Sequence, residues 1–152
     1  HCSVCGEVFV AQDTIKANGH SIVAVDPRVA TCTDIGCITD TIHSALLGAD
    51  LVLIESNHEI NMLMSGPYPY NLKMRIASDS GHLSNRCCAE ILPELVKNGT
   101  TRIVLGHISK DNNTPLLAET TAVSTLKMHG FERDLDYILV VTKPSENKVV
   151  IL

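Results

Sequence analysis

The chain has 152 residues, of which 45% are apolar, and a formal net charge of −5. This length suits one compact domain with its own core and is too short for two, and the composition excludes a disordered chain. The negative charge argues against a generally basic nucleic-acid coat, and an aromatic content of 3% argues against base-stacking platforms.

The sequence also bears on the compartment. No segment reaches the roughly eighteen uninterrupted apolar residues of a membrane span, and the start does not resemble a signal peptide. Cysteines fall inside or beside predicted elements, which favours small buried thiols over a disulfide framework. These are Cys32, Cys37, Cys87 and Cys88. We therefore predict a cytoplasmic protein without membrane contact.

The first 28 residues give the weakest signals. Residues 8–11 and 22–25 have strand composition, and Cys2-Ser3-Val4-Cys5 has half the spacing of a zinc knuckle. The segment His1-Cys2-Ser3-Val4-Cys5-Gly6 follows no strand or helix, and a domain seldom starts in this way. We therefore predict that upstream sequence is missing. We expect a single, partial domain over 1–152, with residues 1–28 unassigned and 29–152 carrying the regular pattern.

From residue 29 onward, short apolar runs alternate with helical patterns, which predicts α/β layering. Strands are expected at 29–34, 51–55 and 102–107, a terminal hairpin at 137–142 and 148–152, and a rigid loop at 65–70 because of two prolines. Helices are expected at 41–47, 85–97 and from Thr114-Pro115 to Gly130, with a short turn or helix at 57–64.

Polar side chains close three of the predicted strands. The strand residues Asp34, Glu55 and His107 would share one edge of the sheet, and His82 precedes the helix that starts near Asn85. Ligands of open α/β sheets bind beyond the carboxyl ends of strands, so these groups predict an active site. The alternatives are that Asp34 only caps its turn and His107 is a structural histidine.

Glu55 and His82 form a second possible pair. A carboxylate beside an imidazole raises the pKa of the ring and fixes its tautomer, as a general acid requires. Alternatively, Glu55 is solvated at its strand end and His82 belongs to a helix-capping loop.

Several long strings, in one order, are similar to the second half of metallo-β-lactamase-fold hydrolases of the bacterial YycJ (WalJ) type, over roughly residues 29–142. They are Ala30-Thr31-Cys32-Thr33-Asp34-Ile35-Gly36, Leu53-Ile54-Glu55-Ser56-Asn57-His58, Gly66-Pro67-Tyr68-Pro69, Leu72-Lys73-Met74-Arg75-Ile76, Gly81-His82-Leu83-Ser84-Asn85 and Leu105-Gly106-His107-Ile108-Ser109.

The resemblance implies an αββα sandwich with two divalent metal ions, zinc or manganese. It implies that Asp34 bridges the metals, that His107 is a late histidine ligand, and that Glu55 and His82 act together on the leaving group. A further upstream histidine ligand is expected, for which His20 is the candidate. The implied activity is phosphodiester hydrolysis, as a 5′-to-3′ exonuclease on DNA rather than RNA.

One departure from the family pattern is that the metal motif His-x-His-x-Asp-His is absent from these residues. The chain is then part of a longer protein, has segments left out, or has lost catalysis. Two other functions stay open: hydrolysis of a small ester, thioester or lactam on the same fold, and a degenerate domain that acts as a non-catalytic binding module.

Further residues are assigned to substrate or to the metal surroundings. Lys73, Arg75 and Arg86 are predicted to hold the substrate backbone. Asn112 and Asn113 either bind a phosphate or shape the turn before Thr114. His58 supports the metal ligands, contacts substrate or is structural. The oligomeric state is not indicated by the sequence.

Overall fold

The computed structural model of the protein describes residues 14–17, 20–26 and 29–143, with side chains from residue 29 onward. The predicted strand at 8–11, the half-knuckle at Cys2 and Cys5, and the last strand of the predicted hairpin at 148–152 lie outside this part of the chain.

A mixed six-stranded sheet forms the centre, with its strands in chain order. β1 (Thr14–Ala17), β2 (His20–Asp26) and β3 (Val29–Cys32) pair antiparallel, and β4 (Leu51–Glu55), β5 (Arg102–Gly106) and β6 (Ile138–Val141) continue parallel to β3. The carboxyl ends of β3 to β6 therefore meet at one edge, which we call the site edge.

Helices connect the parallel strands, as the alternating pattern predicts. In the described residues they are α1 (Asp40–Leu46), α2 (Ile60–Ser65), α3 (Tyr70–Ile76), α4 (Asn85–Lys97) and α5 (Pro115–Met128). The predicted starts of α4 and α5 are confirmed: Ser84 Oγ accepts a hydrogen bond from Cys87 N, and Thr114 Oγ1 accepts one from Leu117 N.

α3 is a helix that the sequence pattern did not predict. Leu72, Met74 and Ile76 recur at every second position, a spacing more typical of a strand. The predicted loop at 65–70 is confirmed only for its middle, because α2 includes Ser65 and α3 begins at Tyr70, directly after Pro69. The fixed φ of Pro69 suits a position next to a helix start.

One face of the sheet carries the core. Ala30, Val52, Ile103 and Leu139 share one row of the register and Cys32, Ile54, Leu105 and Val141 another, and all are buried. They lie in one apolar cluster with residues of α1, α4 and α5. Burial of each leucine or isoleucine stabilises the fold by about 1.5–3 kcal/mol, so these helices hold the strands that present the site.

The opposite face of the sheet is less covered. Leu51, Leu53 and Val140 are half-buried and Ile138 is 41% exposed, although their strand neighbours are buried. We call these four residues the open face. The α/β class is confirmed, and the second sheet of an αββα sandwich is not among the described residues, so the sandwich stays a prediction.

The cysteine prediction is half wrong. Cys32 and Cys88 are buried, and burial raises the pKa of Cys32 to about 12 and raises that of Cys88 as well. Cys87 is exposed and Cys37 is half-buried, because Cys87 lies on the solvent side of the first turn of α4 and Cys37 in the loop after β3. None of these four cysteines forms a disulfide. No helix in the described ranges has the length and apolar character needed to cross a bilayer.

Candidate active site

Four predicted site residues converge at the site edge. Asp34, Glu55, His82 and His107 each place one potential ligand atom within 4.8 Å of the others. Asp34 Oδ1 lies 3.6 Å from His107 Nδ1 and 3.8 Å from His82 Nδ1. Residues from three strand ends and one helix entry thus form a single cluster.

Glu55 is the centre of this cluster. Its side chain is fully buried, which rules out the alternative of a solvated strand-end carboxylate. Oε1 accepts hydrogen bonds from His82 Nδ1 at 2.8 Å and from His107 Nδ1 at 2.7 Å, and Oε2 accepts one from Ile35 N at 2.8 Å. One carboxylate therefore fixes both imidazoles and the turn that carries Asp34.

These contacts set the orientation of both rings. A carboxylate oxygen accepts, so each Nδ1 carries the proton that it donates, and Nε2 of each ring points away from Glu55. The side chains of His82 and His107 are 32% and 41% exposed and that of Asp34 is 59% exposed. The outward groups are thus accessible, while Glu55 supports them from behind.

Two of the four residues have a left-handed backbone. φ is +57° at Asp34 and +55° at His107, and among the described non-glycine residues only Asp134 shares this conformation. Aspartate and histidine tolerate it better than most residues, yet it still costs about 1 kcal/mol or more. Strain at the two residues predicted to bind metal is typical of a functional site.

Two glycines let the site loops pack together. A Cβ at Gly36 would lie 2.3 Å from the Asp79 carbonyl carbon, and a Cβ at Gly81 would lie 2.2 Å from Ile76 O. His82 N also donates to Ile76 O at 2.9 Å. The backbone of Asp79 thus packs directly against Gly36. Residues 77–81 are held between the Asp34 turn and the end of α3.

Asn57 is a supporting residue to which the sequence assigned no role. Its Nδ2 donates to His107 O at 2.8 Å, its backbone N donates to Leu83 O at 2.8 Å, and its backbone O accepts from Ser109 N at 2.9 Å. Asn57 therefore ties the left-handed turn at His107 to the loop that carries His82. The one sequence feature that could have pointed to this role is its position in the polar run after β4.

The donor set fits a divalent cation at the outward side of the cluster. Four ligands at about 2.0–2.1 Å from a tetrahedral ion stand about 3.4 Å apart. The contacts of Glu55 with the two imidazoles, at 2.7 and 2.8 Å, are shorter and match hydrogen bonds. Glu55 is thus suited to orient ligands, whereas the exposed carboxylate of Asp34 and Nε2 of His107 are suited to hold a metal ion.

The predicted substrate contacts do not all reach the cluster. Arg75 lines a pocket together with His82 and His107. Lys73 instead donates from Nζ to Met64 O at 2.7 Å, and Arg86 pairs with Glu90 one turn along α4. Arg75 is therefore the basic residue placed for contact beside the histidines.

Asn113 is not placed to bind a phosphate. It is 4% exposed, donates from Nδ2 to Ser56 O and Asn57 O, and accepts at Oδ1 from Thr114 N. A buried amide with these partners has no free donor for substrate. The predicted contact is replaced by the alternative, a residue that shapes the turn before α5.

His58 and His20 have different positions. His58 is 2% exposed, and its Nδ1 has no hydrogen-bond partner. Burial lowers the pKa of His58, nearby His82 lowers it further, and Glu59 has a weaker opposing effect.

His20 begins β2, two residues before Ile22, which pairs with Cys32. Because β2 is antiparallel to β3, the backbone of His20 lies at the site edge.

Comparisons with known proteins agree with the predicted resemblance to YycJ and WalJ. The chain is 36% identical over 135 residues to the exodeoxyribonuclease WalJ of Streptococcus pneumoniae, in strains D39 and R6, covering 89% of this chain and 50% of the relative. It is 36% identical over 104 residues to the exodeoxyribonuclease YycJ of Bacillus anthracis, covering 68% and 39%. No protein-family model matches. The chain thus spans about half the length of the curated relatives it matches.

Proposed function

We propose that this homologue of the WalJ and YycJ exodeoxyribonucleases forms part of a metal-dependent hydrolase that cleaves phosphodiester bonds of DNA. The observation that carries the proposal is the shared carboxylate: Glu55 Oε1 accepts from both His82 and His107, beside the exposed Asp34. A buried carboxylate that orients two imidazoles toward solvent is an arrangement suited to metal binding and to general acid catalysis.

In this proposal Asp34 and His107 hold two divalent cations, zinc or manganese, with His20 as a further ligand. Such cations, when bound, lower the pKa of a water molecule and offset charge on phosphoryl oxygens. The exposed carboxylate of Asp34 and the imidazole of His107 would hold the cations, and Nε2 of His107 is the ring nitrogen left for this role because its Nδ1 is engaged by Glu55.

His82 is the proposed general acid. Its Nδ1 donates to Glu55, so Nε2 faces solvent and can carry a proton to the leaving oxygen. Glu55 fixes the orientation of the ring through this bond of 2.8 Å. Arg75, in the adjoining pocket, contacts a substrate phosphate, and Lys73 and Arg86 remain proposed contacts with more distant phosphates.

We also propose that the remaining metal ligands come from residues outside this sequence. Two features support this: His-x-His-x-Asp-His is absent, and the chain spans about half the length of its relatives. The open face offers a surface on which another layer of a metallo-β-lactamase-like fold would pack, since it presents apolar side chains that are incompletely covered.

The test uses the full-length protein that contains this sequence. Metal content is measured after purification, and turnover is measured on 5′-phosphorylated DNA, RNA, bis-p-nitrophenyl phosphate, a thioester and a β-lactam. We expect about two metal equivalents, hydrolysis of DNA over RNA, and loss of DNA turnover in His82→Ala. Turnover of only the non-phosphate substrates would make the protein an ester or lactam hydrolase. Neither metal nor turnover would make it a binding module.

A further inference from the structure

The cysteines within residues 29–143 fall into two groups that differ in access to solvent. Cys32 and Cys88 are 0% and 1% exposed, so solutes do not reach their sulfur atoms. Cys87 is exposed and Cys37 is half-buried, and neither forms a disulfide. Cysteines that respond to oxidants are accessible to solvent and often lie next to a second thiol. Cys37 and Cys87 are therefore the two thiols of this region that a soluble oxidant can reach.

The two segments that carry these cysteines pack against each other. A Cβ at Gly36, directly before Cys37, would lie 2.3 Å from the carbonyl carbon of Asp79. On the same two segments, Asp34 Oδ1 lies 3.8 Å from Nδ1 of His82. The loop after β3 therefore contacts the segment that leads from α3 into α4, both through the backbone and through side chains.

The surroundings of the two thiols agree with this packing. Their neighbours along the chain share one apolar cluster, which includes Ile35 and Ile38 on one segment and Leu83 and Cys88 on the other. The pKa of Cys37 is raised by burial first, then by the carboxylate of Asp79 and by the thiol of Cys87. Because such charge effects fall off with distance, the sulfur of Cys37 lies near both of these side chains.

The local backbone is suited to closing a bond between the two thiols. A disulfide needs Cα atoms within about 7 Å and sulfur atoms about 2.05 Å apart. Cys87 lies in the first turn of α4, where its backbone N donates to the cap Ser84 Oγ at 3.1 Å. Cys37 lies between β3 and α1, in a loop outside the helices and strands. One thiol is thus fixed on a capped helix, and the other is on a segment that can move toward it.

We propose that Cys37 and Cys87 are a peroxide-responsive thiol pair, whose disulfide ties the turn that carries Asp34 to the start of α4 and lowers hydrolysis. The deprotonated sulfur of the exposed Cys87 attacks one oxygen of hydrogen peroxide, the O–O bond breaks, and a sulfenic acid and hydroxide form. The sulfur of Cys37 then attacks that of Cys87, so the S–S bond forms and the S–O bond breaks. The two thiols lose two electrons and two protons in total, and the peroxide is reduced to two water molecules.

The disulfide acts on the candidate active site through the chain. Asp34 lies three residues before Cys37, and His82 lies on the segment that enters α4. Drawing the loop toward α4 changes the spacing between these two side chains, which are 3.8 Å apart without the bond. A displacement of about 1 Å in a catalytic site can cost about 100-fold in rate. The effect on turnover rests on the proposed function, whereas formation of the disulfide does not.

The first measurement maps the bond. The full-length protein is treated with hydrogen peroxide, its remaining thiols are alkylated, and it is digested with trypsin. Trypsin releases residues 29–73, with Cys32 and Cys37, and residues 87–97, with Cys87 and Cys88. We expect mass spectrometry to find these two peptides linked, about 2 Da below the sum of their masses because two hydrogens are lost, and dithiothreitol to separate them.

Variants identify the sulfur atoms that are joined. Cys37→Ser and Cys87→Ser should each abolish the link, whereas Cys32→Ala, the matched control at a buried position, should keep it. A link that persists in Cys37→Ser would join another thiol and overturn the proposal. Oxidation of Cys87 to a sulfinic acid without any link would overturn it as well.

The second measurement compares DNA turnover before oxidation, after oxidation and after reduction with dithiothreitol. We expect a loss of about tenfold or more in the wild type, recovery on reduction, and no loss in Cys37→Ser, whose untreated rate should equal that of the wild type. An equal loss in Cys37→Ser, or full turnover by the linked protein, would overturn control of hydrolysis by this pair. A link in a protein that never cleaves DNA would support the thiol pair and overturn the nuclease.

Discussion

His82 and His107 donate from their Nδ1 atoms to the same carboxylate oxygen, Glu55 Oε1, and their rings meet edge to face with centroids 5.1 Å apart. The predicted general acid and the predicted metal ligand are thus oriented by one group. A change at Glu55 should affect both, whereas a change at either histidine should affect mainly its own role.

Glu55→Gln tests this shared role. The amide keeps the size of the carboxylate but offers only one acceptor oxygen and no charge, so at most one end of the side chain can still accept. We expect metal affinity and kcat to fall together, each by about 10- to 100-fold. Metal titration and DNA turnover on the same preparation measure them. If the variant loses turnover but keeps full metal affinity, Glu55 acts only on His82 and not on the metal ligand His107.

His82→Ala should separate catalysis from metal binding. Loss of a general acid lowers turnover by about 10²- to 10⁴-fold, whereas metal content should stay near that of the wild type. Turnover is measured at saturating DNA, and metal content by elemental analysis. A DNA substrate with a good leaving group, such as a p-nitrophenyl ester of its 5′-terminal phosphate, should recover much of the rate. Equal losses on both substrates would contradict the acid role.

Asp34→Asn should lower metal content and turnover together. Asparagine tolerates the left-handed backbone at this position, so the fold should be retained while the negative charge of the carboxylate is lost. Thermal unfolding of the metal-free proteins provides the control, with the melting temperatures of variant and wild type expected to agree within a few degrees. Full metal occupancy in Asp34→Asn would remove Asp34 from the metal site.

Gly81→Ala should displace His82. The added Cβ meets Ile76 O at 2.2 Å, so the loop or α3 must shift, at a cost of about 1–3 kcal/mol of the free energy of unfolding. Turnover should fall with it. Gly48→Ala is the contrast: nothing lies within 4 Å of the new Cβ, and only the positive φ of +80° is strained. Urea unfolding and kcat are measured for both, and equal effects on kcat would contradict a role of the close packing of residues 77–81 in placing His82.

The buried imidazole of His58 should make stability sensitive to acid. Its folded-state pKa is lowered by burial and by His82, against a weaker effect of Glu59. The unfolded chain therefore takes up a proton first, and the free energy of unfolding should decrease as the pH falls below about 6.5. Urea titrations between about pH 7.5 and 5 measure the slope. His58→Gln should flatten it, whereas His129→Gln, at an exposed position, should not.

The helices were predictable because their signals are local. Ser84 and Thr114 as caps, and Pro115 at the first helical position, set the starts of α4 and α5 within the sequence itself. The convergence of Asp34 and His107 was also accessible, because parallel strands end at one edge.

Other features depend on tertiary contacts that spacing does not reveal. The second bond of Glu55 joins residues 52 positions apart, and the burial of Asn113 depends on partners more than 50 positions away, in the turn after β4. The same holds for the approach of Gly36 to Asp79, which required a loop from beyond α3. The helix α3 was not predicted for a different reason: its apolar residues recur at every second position, which is typical of a strand.

The left-handed backbone at Asp34 and His107 restricts which residue types can occupy these two positions. If the two residues bind metal as proposed, a replacement must offer a metal-binding atom and also accept a backbone that β-branched and long side chains resist, which leaves mainly aspartate, asparagine and histidine. In a saturation-mutagenesis library selected for activity, these two positions should therefore retain a smaller set of residues than His82, whose φ is not positive.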